Sequence, residues 1–173
     1  MSWGAARRQE REAEFTAFVV ATAPRLRRTA YLMCRDWHLA QDLTQTTFAN
    51  MYASWGRIRH TANLAAYSRK VLLNALFDQR NRRSAGEVVL ADLPEAAARP
   101  GPAEAVATHV VLLRALATLP LRDQAIVVLR HWEDLSVEAV AEILGVSVSV
   151  VKTQNARALA RLRAVLGDDF ARI

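Results

Sequence analysis

A run of short polar and basic side chains lies in the stretch LGVSVSVVKTQNARALARLR, residues 144–163. The stretch holds four basic residues and no acidic one, over a short apolar rhythm. As a helix, it would carry on or near its outward face Ser149, Lys152, Thr153, Gln154 and Arg157. Such side chains can hydrogen-bond to base edges and contact phosphates in the major groove of DNA. The alternative is an ordinary basic amphipathic helix with a solvated face.

The residues around this stretch favour a helix-turn-helix. Ser136 and Ser147 each stand at the start of a predicted helix, where a serine is a good N-cap. Ala141 is small enough for a second helix to cross closely, and Gly145 permits the left-handed backbone of a three-residue turn. Val151 completes the spacing of four and six residues. This context favours DNA binding over a merely solvated helix.

Helical periodicity runs through the chain, and strand signals are almost absent. We therefore predict an all-α fold of two small helical bundles joined by a flexible linker, with the helix-turn-helix in the second. The first bundle spans residues 8–83, the linker residues 84–104 and the second bundle residues 105–168. The linker prediction rests on three Pro, two Gly and an acidic bias.

Two helix boundaries in the first bundle are predicted from single residues. Pro24 is expected to begin a new helix after a short one at about residues 10–23, because proline is favoured at the first helical position. Gly56 is expected to end a helix at about residues 38–55, because glycine commonly follows the last helical turn.

Positive charge is concentrated in the first part of the chain. Residues 1–83 contain 14 Lys and Arg against 6 Asp and Glu, and residues 84–105 contain 1 against 4. Residues 106–173 contain 8 against 7, which leaves a net charge of +6 for the whole chain. This distribution favours a polyanionic partner for the first bundle.

Signals for catalysis, metal binding and membrane insertion are missing. The sequence has no Gly-rich phosphate loop, no paired carboxylates in context and no His or Cys cluster, so we expect no enzyme activity, cofactor or metal. The single cysteine, Cys34, excludes an internal disulfide and is either a small core residue or a redox sensor. No apolar run approaches the ~18 residues of a membrane span, and the charged start of the chain favours a cytoplasmic protein.

Long segments of the chain resemble the extracytoplasmic-function sigma factors of bacterial RNA polymerase, most closely actinobacterial members. AQDLTQTTFANMYASW resembles the segment that grips the β′ clamp helices of polymerase, and AAYSRKVLLNALFDQRNRR the helix that contacts and helps to open the −10 element. LPLRDQAIVVLRHWEDLSVEAVAEILGVSVSVVKTQNARALARLR resembles the domain that recognises the −35 element.

The resemblance implies a function and a set of partners. The protein would be an alternative sigma factor that binds core RNA polymerase, at its β′ clamp helices and β flap, and directs promoter-specific transcription initiation. Residues 8–83 would be sigma domain 2 and residues 105–168 sigma domain 4. Promoter DNA and an anti-sigma factor would be the other partners, and the protein would lie in the cytoplasm, at the nucleoid, with polymerase.

The resemblance also assigns the polymerase contacts within the second predicted helix. Asp42 and Gln45 would make polar contacts to a coiled-coil partner, and Leu43 and Phe48 would be its apolar anchors. The chain departs from the family at Thr46, where an acid is common. From the residues alone, the same segment is equally compatible with an ordinary acidic first turn of a helix.

The −10 contacts implied by the resemblance lie in a loop and on the helix after it. They are Arg57, Arg59, His60 and Asn63 in the loop, followed by Asn74, Arg80, Arg82 and Arg83. In the loop, the family captures an unstacked base by its pairing edge. A plain solvated loop is the alternative there, and on the helix an Asp78–Arg82 pair one turn apart would be purely structural.

A different class of function also fits the second bundle. A helix-turn-helix regulator could act as a dimer, independently of the polymerase core. This alternative leaves the basic and aromatic-rich helices of the first bundle without a role.

Overall fold

The computed structural model of the protein describes residues 3–61, 63–85 and 103–167. These residues form seven α-helices: α1 (Trp3–Cys34), α2 (Trp37–Ile58), α3 (Leu64–Ala85), α4 (Ala103–Ala117), α5 (Leu121–Val127), α6 (Val137–Leu144) and α7 (Val148–Leu166). A π-helical turn, Val128–Trp132, continues α5. The predicted all-α fold is confirmed for the described residues. Most of the predicted linker, residues 86–102, lies outside them.

The first bundle consists of α1, α2 and α3, which pack on one another. On α1, Leu26, Ala30 and Met33 recur at helical spacing and are at most 2% exposed. Trp55 of α2 and Leu72 of α3 are equally buried. This periodic apolar stripe is the pattern expected of a helix that packs by one face.

The predicted helix boundary at Pro24 is wrong, because α1 runs through it without a break. A proline inside a helix lacks the amide hydrogen and costs roughly 3 kcal/mol. Packing on both sides offsets this cost: Phe15 and Phe18 contact aromatic rings of α2 before the proline, and Leu26 and Ala30 are buried after it. Leu26 alone, a fully buried large apolar side chain, contributes about 1.5–3 kcal/mol.

The predicted helix end at Gly56 is also wrong, because α2 continues to Ile58. Glycine ends a helix by adopting a positive φ, and among the described glycines only Gly145 and Gly167 do so. After Gly56, the Arg59 amide donates to the carbonyl of the buried Trp55 at 3.0 Å and closes the last turn.

The helix-turn-helix forms as predicted in the second bundle. The Ser136 hydroxyl accepts from the Ala139 amide at 3.1 Å at the start of α6. At the start of α7, the Ser147 hydroxyl accepts from the Val150 amide at 3.3 Å. Gly145 ends α6 with φ 65°, in the left-handed region that a residue without Cβ adopts at little cost.

The two bundles lie in direct contact. α1 touches α4, α5 and the π-helical turn, and α3 touches α6. The buried apolar residues of both bundles therefore belong to one continuous core.

Candidate polymerase and promoter surfaces

The outward face of α7 carries most of the predicted polar residues. Ser149, Lys152, Thr153 and Arg157 are exposed. The opposite face holds the buried Val151, Ala158, Leu162 and Leu166. The helix therefore anchors itself with an apolar stripe and presents short polar and cationic groups to solvent.

Gln154 lies at the edge of this face. It is half-buried, and its Oε1 is buried with no hydrogen-bond partner in the described part of the chain. The reason is helical spacing: Gln154 is three residues from Val151 and four from Ala158, so it adjoins the buried stripe. Its amide would need another rotamer to reach a base.

The structure adds two alanines to the exposed face of α7. Ala156 and Ala160 are exposed, three and seven residues after Thr153. They were missed because alanine carries no polar group, although the helical spacing from Thr153 signals their position. A methyl group on such a face can contact the methyl group of thymine.

Asn155, beside Gln154, is held from outside the helix. Its Oδ1 lies 3.1 Å from Nε2 of His131, in the π-helical turn. This contact ties α7 to the π-helical turn that continues α5.

The predicted apolar anchors on α2 belong to the protein's own core. Leu43 is 5% exposed and Phe48 is 8% exposed. The Phe48 ring lies 6.4 Å from that of Phe15 and 6.2 Å from that of Phe18, both on α1. These residues are therefore not available to a partner in this structure, because α1 already covers the apolar face of α2.

The exposed face of α2 is polar instead. The predicted Asp42 and Gln45 lie on it. Sequence reasoning assigned no contact to its other polar members, although helical spacing places them there: Gln41, Thr46 and Asn50. A stripe of this kind offers hydrogen bonds to a partner helix without uncovering the core.

Three of the predicted loop residues have partners within the chain. Arg57 lies in the last turn of α2 and not in the loop, because that helix continues to Ile58, and its Nη2 donates to Ser54 Oγ at 3.4 Å. Arg59 Nη1 donates to Glu14 Oε2 of α1 at 2.7 Å. Asn63 Oδ1 accepts from the Ala66 amide at 2.9 Å, in the N-cap arrangement at the start of α3. Arg57 and His60 are exposed. The loop is thus tied at both ends, with His60 exposed between them.

The predicted −10 residues on α3 are all exposed. Asn74 lies in a row with Lys70, Asp78 and Arg82, each four residues apart, and Arg80 and Arg83 lie beside it. Within the described residues, Asp78 and Arg82 form no ion pair, so the proposed structural pairing is absent. Lys70 is a further cation that its spacing from Asn74 could have indicated.

Cys34 lies at the end of α1 and is partly buried. Its thiol donates to the Asp36 carbonyl at 3.2 Å, and burial raises the pKa of the thiol to about 11. Since only the thiolate is a good nucleophile, this environment favours a packing role over redox sensing. In the described ranges, no three His, Cys, Asp or Glu residues are grouped as metal ligands. No helix there is long and apolar enough to cross a bilayer.

Two regions of the chain match family models of sigma factors. Residues 18–86 match the family model of sigma-70 region 2, and residues 109–162 match that of sigma-70, region 4. The RNA polymerase sigma-E factor of Streptomyces coelicolor is 37% identical over 153 residues, which are 88% of this chain and 86% of that protein. The chain belongs to the extracytoplasmic-function sigma factors of bacterial RNA polymerase.

Two further proteins are similar to this sigma factor. The ECF sigma factor SigM of Mycobacterium tuberculosis is 32% identical over 143 residues, 82% of this chain and 71% of that protein. The sigma factor RpoE of Bartonella quintana, solved with the anti-sigma factor NepR, superposes with a TM-score of 0.76. It is 23% identical, the match covers 90% of this chain and 98% of that one, and it supports the fold.

The family establishes what this sigma factor does. It is an alternative sigma factor that works with core RNA polymerase and directs promoter-specific transcription initiation through the −10 and −35 elements. The predicted resemblance to actinobacterial members is confirmed, since Streptomyces and Mycobacterium supply these relatives. Sigma factors are initiation factors, which act by binding.

Proposed function

We propose that this sigma factor acts through three separate binding surfaces and has no catalytic activity of its own. Residues 8–83 act as sigma domain 2, residues 105–168 as sigma domain 4, and residues 84–104 join them. The observation that carries the proposal is the exposed polar and basic face of α7, on a helix that a serine cap and an apolar stripe hold in place.

The −35 surface is this face of α7. Lys152 and Thr153 lie where their side chains can reach base edges, and Ala156 offers a methyl contact one turn further on. Ser149 and Arg157 lie at either side and serve as phosphate contacts, which hold the helix in the groove without reading sequence. Gln154, at the buried edge, has a smaller part in recognition.

The −10 surface combines the loop after α2 with the outer row of α3. Arg57 is exposed in the last turn of α2 and His60 on the loop after it, while Arg59 and Asn63 also hold the shape of the loop. Asn74 can hydrogen-bond to an unpaired base, and the nearby cations favour the DNA backbone. These cations are Lys70, Arg80, Arg82 and Arg83.

The surface for polymerase is the polar stripe of α2, with Asp42 and Gln45 as contacts to the β′ clamp helices. Thr46 and Asn50 continue the stripe from Asp42 at four-residue spacing. The second bundle meets the β flap. The site of action is the cytoplasm, at the nucleoid with polymerase.

An anti-sigma factor is a further proposed partner. RpoE of Bartonella quintana, which shares this fold, was solved in complex with one. In this sigma factor the two bundles already touch, so a partner could hold both at once.

The test is promoter selection from a library with randomised −35 positions, using reconstituted core polymerase. Lys152→Ala should change the preferred sequence, since a good base contact carries about 1–3 kcal/mol of discrimination. Arg157→Ala should leave the preference unchanged and lower the salt dependence of binding by about one unit of slope.

Gln154→Ala is the matched comparison on the same helix and should change the preferred sequence less than Lys152→Ala does, because Gln154 lies at the buried edge. If Lys152→Ala selects the same sequences as the unaltered protein, α7 does not read bases. If the chain selects the same sequences without core polymerase, it acts as an independent helix-turn-helix regulator.

A further inference from the structure

A buried carboxylate joins the two bundles. Glu133 follows the π-helical turn and is 2% exposed. Its Oε2 accepts from Arg25 Nε at 2.5 Å and from Arg69 Nη2 at 2.7 Å. Its Oε1 accepts from the hydroxyl of Thr29, which is itself buried. All three donors belong to the first bundle.

Further bonds make this junction specific. Arg25 Nη2 also donates to the Glu133 carbonyl at 2.8 Å, so one guanidinium holds both the side chain and the backbone. The buried Gln124 of α5 donates from Nε2 to the Leu32 carbonyl at 2.9 Å. That carbonyl lies in the last turn of α1, where such groups lack a helical partner.

The arrangement in which the two bundles touch, called the closed form below, is too short for the spacing of the promoter elements. At 3.4 Å per base pair, elements about 25 base pairs apart lie about 85 Å apart along DNA. A bundle of some 80 residues has a radius of gyration of only about 12 Å. Two such bundles in direct contact cannot reach both elements of a linear promoter.

We propose that Glu133, gripped by Arg25, Thr29 and Arg69, latches this sigma factor in a closed form that cannot engage both promoter elements. Binding to core polymerase requires release of this latch. The proposal rests on the assignment of the −10 and −35 surfaces to separate bundles. Removing either Glu133 or Arg69 should disfavour the closed form, because the remaining charge would stay buried and unpaired there, whereas water solvates it when the bundles separate.

Closure should also reduce the apparent affinity for polymerase. When only a fraction of the protein is open, the apparent dissociation constant rises by the inverse of that fraction. Loss of the latch therefore tightens core binding, by up to about tenfold if nine-tenths of the protein is closed.

The experiment compares two latch variants in the full chain, without polymerase or DNA. Glu133→Gln removes the charge from the second bundle, and Arg69→Gln removes one of its partners from the first. Small-angle X-ray scattering should give a larger radius of gyration for both, with helical content by circular dichroism unchanged. Titration with core polymerase should then show tighter binding for both variants.

Asp134→Asn is the matched control. Asp134 is the next residue, is exposed and has φ 53°, a left-handed conformation that asparagine tolerates. It forms no ion pair within the described ranges, so the same loss of charge should leave the radius and the core affinity unchanged.

Three results would overturn the latch: unchanged scattering for both variants, equal expansion in the Asp134→Asn control, or expansion without tighter core binding. If Glu133→Gln loses helicity, the scattering of Arg69→Gln tests the proposal instead. An Arg69→Gln protein that is folded and stays compact would refute it. These measurements use no DNA, so they stand apart from the library test. A failed α7 assignment would leave the scattering result intact.

Discussion

The helix-turn-helix of the second bundle and the long helices of the first obey their local sequence signals to different degrees. In the second bundle, Ser136, Gly145 and Ser147 each do what their residue type predicts. In the first, neither Pro24 nor Gly56 interrupts its helix. The difference teaches that caps and a turn set the boundaries of α6 and α7, whereas burial against neighbouring helices carries α1 past Pro24 and α2 past Gly56.

The surfaces differ in the same way. On α7, the exposed face was predicted from spacing alone, except for Gln154 at its edge. On α2, the polar contacts Asp42 and Gln45 were placed on the exposed face, but Leu43 and Phe48 were assigned to a partner although they serve the core. An amphipathic helix has one apolar face, and the apolar face of α2 already packs against α1.

The largest expected effect tests the burial of these two residues. Leu43→Ala with Phe48→Ala should unfold the first bundle, because each buried large-to-alanine change costs about 2–5 kcal/mol. Thermal melting by circular dichroism measures the loss. The control pair, Asp42→Ala with Gln45→Ala on the exposed face, should melt within a few degrees of the unaltered protein and bind core polymerase less well.

Normal melting of the Leu43/Phe48 double variant, with weakened polymerase binding, would contradict the burial. It would restore the two residues as anchors and remove the contrast between the two bundles.

A smaller effect compares the two glycines. Gly145→Ala should destabilise the protein by about 1–2 kcal/mol, since the left-handed backbone there is strained for any residue with Cβ. Gly56→Ala should stabilise it by about 0.5–1 kcal/mol, because alanine is favoured inside a helix. The added Cβ would lie 3.6 Å from Arg11 Nη1, an ordinary contact. Urea denaturation of both variants measures the two changes in the free energy of unfolding, which should have opposite signs.

Equal effects of the two substitutions would show that the conformation of Gly145 does not matter to the turn. Destabilisation by Gly56→Ala would indicate that the helix ends at Gly56 or that a neighbouring atom is too close for a Cβ, and the structure shows neither.

The smallest expected effect is the pH dependence of the contact between Glu133 and the first bundle. Burial raises the pKa of Glu133, but hydrogen bonds from Thr29 and Arg69 and the charges of Arg69 and Arg25 lower it, with a net downward shift. The ionised carboxylate therefore stabilises the closed form above the ordinary glutamate pKa, about 4.3. This contribution is lost as pH falls through the lowered pKa.

Scattering from pH 7 down to well below the ordinary glutamate pKa measures this dependence. The unaltered protein should expand toward the radius of Glu133→Gln as the carboxylate takes up a proton, while the variant changes less. Parallel curves for the two proteins would mean that Glu133 does not control the closed form.

Much of the candidate site could be predicted because its signals are local. A serine cap bonds an amide three residues on, and a helical face follows from spacing, so α6, α7 and the exposed cations of α3 could be inferred from neighbours in the chain. The absence of the Asp78–Arg82 pair could not be predicted, because an exposed ion pair stabilises the protein too little to fix the positions of its side chains.

The sequence by itself determined the all-helical fold, the turn at Gly145 and the polar faces of α2, α3 and α7. Only the tertiary structure decided that α1 continues through Pro24, that Leu43 and Phe48 are core residues, and that Glu133 joins the bundles. Thr29 and Glu133 are 104 residues apart in the chain. No local pattern marks such a pair, because its energy arises only when packing removes both groups from water.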